Sequence, residues 1–108
     1  MPELPKPFVQ FTREHPAVAK AYEALGQASA EAGPLDAKTR ELIKLGMAIG
    51  ARLEGAVHSH VRRAIEAGVT PEQIRHVVAL AAPTLAFPTT VAVSTWVVDV
   101  LGRARTRR

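Results

Sequence analysis

Apolar residues recur three and four positions apart along most of this chain, the spacing of helices that bury one face. "EHPAVAKAYEALGQASAEAG" follows that pattern, with a proline near its start and Gly33 at its end. "PLDAKTRELIKLGMAIGARLEG" comes next, opened by Asp36 as N-cap, with Leu42, Leu45, Ile49 and Leu53 on one stripe. A third helix is expected from about Ala56 to Ala67, stopped by Gly68. "VTPEQI" carries the clearest start signal: Thr70 as N-cap, Pro71 in the first helical position and Gln73 completing a capping box.

The last segment, "TTVAVSTWVVDVLG", is ambiguous, because its β-branched residues suit a strand. Its length and the lack of a second strand-like run to pair with favour a helix. It is apolar almost all round, as a helix covered by several neighbours or by partner subunits would be. The opening "MPELPKPFVQF" contains three prolines and is expected to run extended over residues 1–14. The expected architecture is all-α: a single domain over residues 1–108, built as a compact bundle of five or so helices and assembling as a homo-oligomer.

Composition sharpens this picture at three points. Aromatic residues make up only 5% of the chain, so its core must be built from Ala, Val, Leu and Ile. The chain has no cysteine, which excludes disulfides, thiolate nucleophiles and thiol redox chemistry. A net charge of +4 suggests nucleic acid until it is located. Four of the fourteen basic residues, Arg103, Arg105, Arg107 and Arg108, sit in the terminal "GRARTRR", and the remaining ten balance ten acidic residues. The tail over 103–108 reads as a solvated basic end with no interleaved aromatic, so no nucleic-acid partner is expected.

Val77 to Val98 holds no charged residue and is long enough to span a bilayer. Pro83 and Pro88 cut it into short pieces and five Ser/Thr residues dilute it, so a buried core or subunit interface is expected instead of a membrane span. The N-terminus has no apolar h-region and so no signal peptide, and the expected location is cytoplasmic.

Candidate chemistry centres on "LEGAVHSHVRRA". Residues two apart on a helix point about 200° apart, so His58 and His60 cannot face one metal on an unbroken helix, and no third ligand stands at a recognisable spacing. His58, near Glu54 and Arg62, reads first as a partly exposed surface residue. His60 lies among Ala56, Val57 and Ala64. Glu41 shares a stripe with Leu45, Ala48 and Ile49. Each is a polar residue on an apolar face, either at its rim or as half of a buried acid/base pair between adjacent helices. His15, His76 and Trp96 read as ordinary helix-entry, surface and core or interface residues.

The stretch "TRELIKLGMAIGARLEGAVHSHVRRAIEAGVTPEQIRHVVALAAPTLAFPTTV" resembles the carboxymuconolactone decarboxylase family, which includes the alkylhydroperoxidase D-like proteins. The resemblance rests on "REL" opening a helix, a histidine followed by "VRRAIEAGVTPEQI", an Ala-rich helix and "AFPTT" in that order, over about Thr39 to Ala92. It implies small all-α subunits assembled as homotrimers or homohexamers. The family's peroxidase branch uses a glutamate, a C-x-x-C pair and a histidine; by resemblance Glu41 and His60 match the proton relay, while the cysteine positions fall at Leu53 and Ala56. The resemblance therefore implies no thiol peroxidase activity. It leaves three readings: a cofactor-independent acid/base enzyme on a small carboxylated substrate, with Glu41 and His60 catalytic and His58 and Arg62 binding substrate; a non-catalytic small-molecule-binding or structural oligomer; and a metal-binding variant through His58/His60. No cofactor is required by the first.

Overall fold

A computed structural model describes residues 4–102; the arginine tail lies outside them. Among the described residues there are six helices and no strand. By its internal contacts the chain falls into two compact units, Met1–Leu35 and Asp36–Arg108. The Gly33–Pro34 break between helical patterns stands just before that boundary.

The first unit holds α1, Lys6–Glu14, and α2, Pro16–Ala30. The expectation of an extended stretch over residues 1–14 is corrected by α1. Pro5 takes the N-cap and Pro7 falls in the first turn, where a proline removes no intrahelical hydrogen bond. His15 ends α1 and begins α2, and its ring packs on Phe11 with centroids 4.8 Å apart. Neither helix contains a buried residue.

The second unit is a four-helix bundle of α3 (Ala37–Gly50), α4 (Glu54–Glu66), α5 (Pro71–Thr84) and α6 (Phe87–Leu101). Its core draws on every helix: Leu45, Ala48 and Ile49; Val57, Val61 and Ala64; Ile74, Val78 and Ala81; Val93, Val97 and Leu101. Small aliphatic residues dominate, as the shortage of aromatics requires, and Trp96 packs at the edge of this cluster.

The ends of these helices follow from local chemistry. Asp36 accepts the Thr39 amide at 2.8 Å, and that hydrogen bond holds its carboxyl below the ordinary carboxylate range. At α5 the capping box is complete: Gln73 N–H donates to Thr70 Oγ1 at 3.1 Å and Thr70 N–H donates to Gln73 Oε1 at 2.9 Å. The β-branched α6 is helical. Its Thr90, Ser94 and Thr95 hydroxyls donate back to the carbonyls of Ala86, Val91 and Ala92, so they make few demands on its surroundings. No described helix is long and apolar enough to cross a membrane.

Two helix ends share one geometry with different residues. At the end of α4, Gly68 adopts φ 95°, with Val69 N–H donating to Ala64 and Gly68 N–H to Ile65. At the end of α3 the same bond pair runs from Leu53 to Ala48 and from Arg52 to Ile49, with Arg52 at φ 59°. This left-handed turn takes Leu53 out of the α3 stripe, leaving it 56% exposed as the N-cap of α4. A left-handed non-glycine residue costs about 1–2 kcal/mol, partly offset in glycine by its greater unfolded entropy. Arg52→Gly is therefore expected to stabilise by up to about 1 kcal/mol, and Gly68→Ala to destabilise by about 1–2 kcal/mol. Chemical denaturation of both variants checks this; equal signs for the two changes would contradict it.

Candidate active site

α4 packs against both α3 and α6. The two-residue spacing of its histidines sends one toward each neighbour. His60 Nδ1 lies 3.0 Å from Glu41 Oε1 on α3, with the two side chains only 16% and 15% exposed. His58 Nε2 lies 3.2 Å from Asp99 Oδ2 on α6 and 3.9 Å from Glu54 Oε2 one turn earlier on α4.

The Glu41–His60 contact follows from the patterns that placed each residue. Leu45, Ala48 and Ile49 hold α3 to the core, and Glu41 stands one turn before Leu45 on the same side. Val57, Val61 and Ala64 hold α4, and His60 stands beside them. With Glu41 ionised and His60 neutral, Nδ1–H donates to the carboxylate and Nε2 is left with the lone pair that can take a proton. With the imidazole protonated, Nε2–H can give one. The carboxylate fixes the tautomer and steadies the charge in either direction.

The four residues expected in one site divide between two. Glu41 and His60 meet, whereas His58 makes its polar contacts on the α6 side of α4. Arg62, half-buried one turn after His58, shares His58's face of the helix and not that of His60. The metal reading through His58/His60 is corrected on the same ground: the candidate ligand cluster among the described residues is Glu54, His58 and Asp99, and His60 is not in it. Glu54 begins α4 instead of lying in the turn before it, which brings it to His58 at i,i+4. Asp99 is the residue that sequence reasoning missed. Its signal was present, as the lone charge in the fifteen residues of α6, but its partner lies 41 residues away. His76 is exposed on α5, as expected of a surface histidine.

Leu53 and Ala56, the positions matched to the redox cysteines, lie at the start of α4, Leu53 as its N-cap and Ala56 one turn before His60. No cysteine stands anywhere in the 108 residues.

A carboxymuconolactone decarboxylase family model matches residues 16–99, most of the chain. The chain belongs to the carboxymuconolactone decarboxylase family. A carboxymuconolactone decarboxylase family protein from Legionella pneumophila, solved in its apo form, superposes with a TM-score of 0.68. The match covers 86% of this chain and 82% of that one at 22% identity, a likeness of fold. An uncharacterized protein of Haemophilus influenzae is 44% identical over 59 residues, 55% of this chain. The chain spans about half the length of that curated relative, since the match covers 52% of it. All-α architecture and family membership thus agree, and this member of the decarboxylase family is cysteine-free.

Proposed function

We propose that this chain is a cofactor-independent acid/base enzyme acting on a small carboxylated substrate of the lactone type. The observation that carries the reading is the 3.0 Å contact between Glu41 and His60, both largely buried on adjacent helices. Decarboxylation breaks a carbon–carbon bond, leaves the electron pair on the remaining carbon as carbon dioxide departs, and needs a proton delivered there. His60, protonated and steadied by Glu41, supplies that proton from Nε2, and solvent restores it. None of these steps calls for a thiol.

The chemistry needs a cation for the substrate carboxylate, and Arg62 and His58 are the proposed contacts. They lie on the other side of α4 from the relay within one subunit, so a neighbouring subunit's surface is the proposed route by which they serve a site. Homotrimeric or homohexameric assembly is part of the same proposal. It is supported by Leu80, Leu85, Phe87 and Val91, exposed near the α5–α6 corner.

Native mass spectrometry on untagged protein, paired with a carbon dioxide release assay over small carboxylated lactones, tests the reading. A trimer or hexamer that carries a small organic acid and releases carbon dioxide is the expected result. A monomer that binds none of the lactones and releases nothing would overturn it.

A further inference from the structure

His58, Glu54 and Asp99 present three ligand atoms, one imidazole nitrogen and two carboxylate oxygens, all within 4.8 Å of one another. The atoms come from two packed helices, so their separation is set by the bundle and not by one flexible loop. Two further observations set this cluster apart from an ordinary acidic surface patch. Asp99 is the lone charge on the otherwise uncharged α6, and it stands opposite the histidine. Among the described residues, His58 is an ion-pair partner of both carboxylates.

We propose that Glu54, His58 and Asp99 form a binding site for a first-row divalent cation, with zinc as the best-matched ion. Bonds of about 2.0–2.2 Å from zinc to nitrogen and oxygen leave ligands on one ion roughly 3–4 Å apart. The two separations from His58, 3.2 Å and 3.9 Å, already fall in that range, and with all three atoms within 4.8 Å of one another a side-chain adjustment of the exposed carboxylates seats the ion. Imidazole selects against calcium and magnesium, the absence of thiolate selects against copper(I), and two carboxylates accommodate zinc or manganese. The ion would lose little on entry, because Glu54 and Asp99 are 55% and 58% exposed. Three protein ligands leave at least one coordination position for water or a small anion.

This site stands apart from Glu41 and His60, and zinc binding does not depend on the relay's chemistry; it shares His58 with the proposed substrate contacts, so a bound ion would meet the substrate carboxylate in place of that ring. Isothermal titration with zinc chloride, checked by elemental analysis after dialysis, is expected to show one zinc per chain. His58→Ala and Asp99→Asn should each weaken binding at least about tenfold, the scale on which even outer-shell partners of a metal act. His60→Ala should leave zinc binding unchanged, which rules out adventitious capture by the neighbouring histidine. Circular dichroism on each variant establishes that the helices are intact, and His58→Gln serves if the alanine variant fails to fold. Failure to bind one equivalent of zinc, or His58 and Asp99 variants that bind like the parent, would overturn the proposal. Calcium binding as tight as zinc, insensitive to His58, would overturn it too, by marking a mere acidic patch.

Discussion

Glu41→Gln is expected to lower turnover roughly 10²–10⁴-fold, the range over which a positioned proton-transfer group acts. The amide keeps the size of the carboxylate and can still accept from His60 Nδ1, but it cannot stabilise an imidazolium. The loss should therefore fall on kcat, with KM little changed. His60→Ala removes the proton carrier itself and should lose at least as much. The two changes together should cost no more than the larger one alone, because both residues act in one relay. A purely structural pair predicts otherwise. Removing one member of a mostly buried hydrogen-bonded pair strands its partner and costs about 1–3 kcal/mol of stability. Steady-state kinetics and denaturant unfolding on the same preparations separate these outcomes. Unfolding free energies that fall while kcat per folded molecule holds would remove Glu41 and His60 from the chemistry.

The largest stability effect is expected at Leu45. Its side chain is fully buried at the centre of a core made almost entirely of small aliphatic groups. Leu45→Ala should cost about 2–5 kcal/mol, because valines and alanines around the void can reach into it only partly. Against a total stability of roughly 5–15 kcal/mol, that is a large fraction. Each kcal/mol should lower the melting temperature by roughly 4–8 °C in a chain of this size. Met47, two residues on, is 67% exposed on the opposite side of α3, and Met47→Ala should stay within about 0.5 kcal/mol of the parent. Thermal melts of both variants make the comparison. Similar melting temperatures would mean that α3 is not held by Leu45.

Local signals in the sequence were reliable where they rest on local chemistry. The Asp36 cap, the Thr70–Gln73 capping box and the Gly68 stop all need only neighbouring residues, and each stands where its pattern puts it. The meeting of Glu41 and His60 was legible for a different reason. Two polar residues on two apolar faces have few places to go in a small bundle except toward each other. Three features were not legible. Pro5 and Pro7 argue against helix everywhere except at a helix start, which is where α1 places them, as N-cap and in the first turn. The end of α3 at Arg52 uses a conformation that favours glycine, so nothing in the composition marked it. The partnership of His58 with Asp99 spans 41 residues and is decided by how α6 packs on α4, which no local pattern encodes.

The two-residue spacing of the histidines on α4 has a consequence for how this chain can change. A single inserted residue between His58 and His60 would swing one of them by about 100° around the helix. It would break either the contact with Glu41 or the contact with Asp99 without touching any of the four side chains. Substitutions on one flank of α4, by contrast, leave the other flank's geometry in place. Point changes can therefore retune the two flanks one at a time, whereas length changes within this segment are barred by both at once.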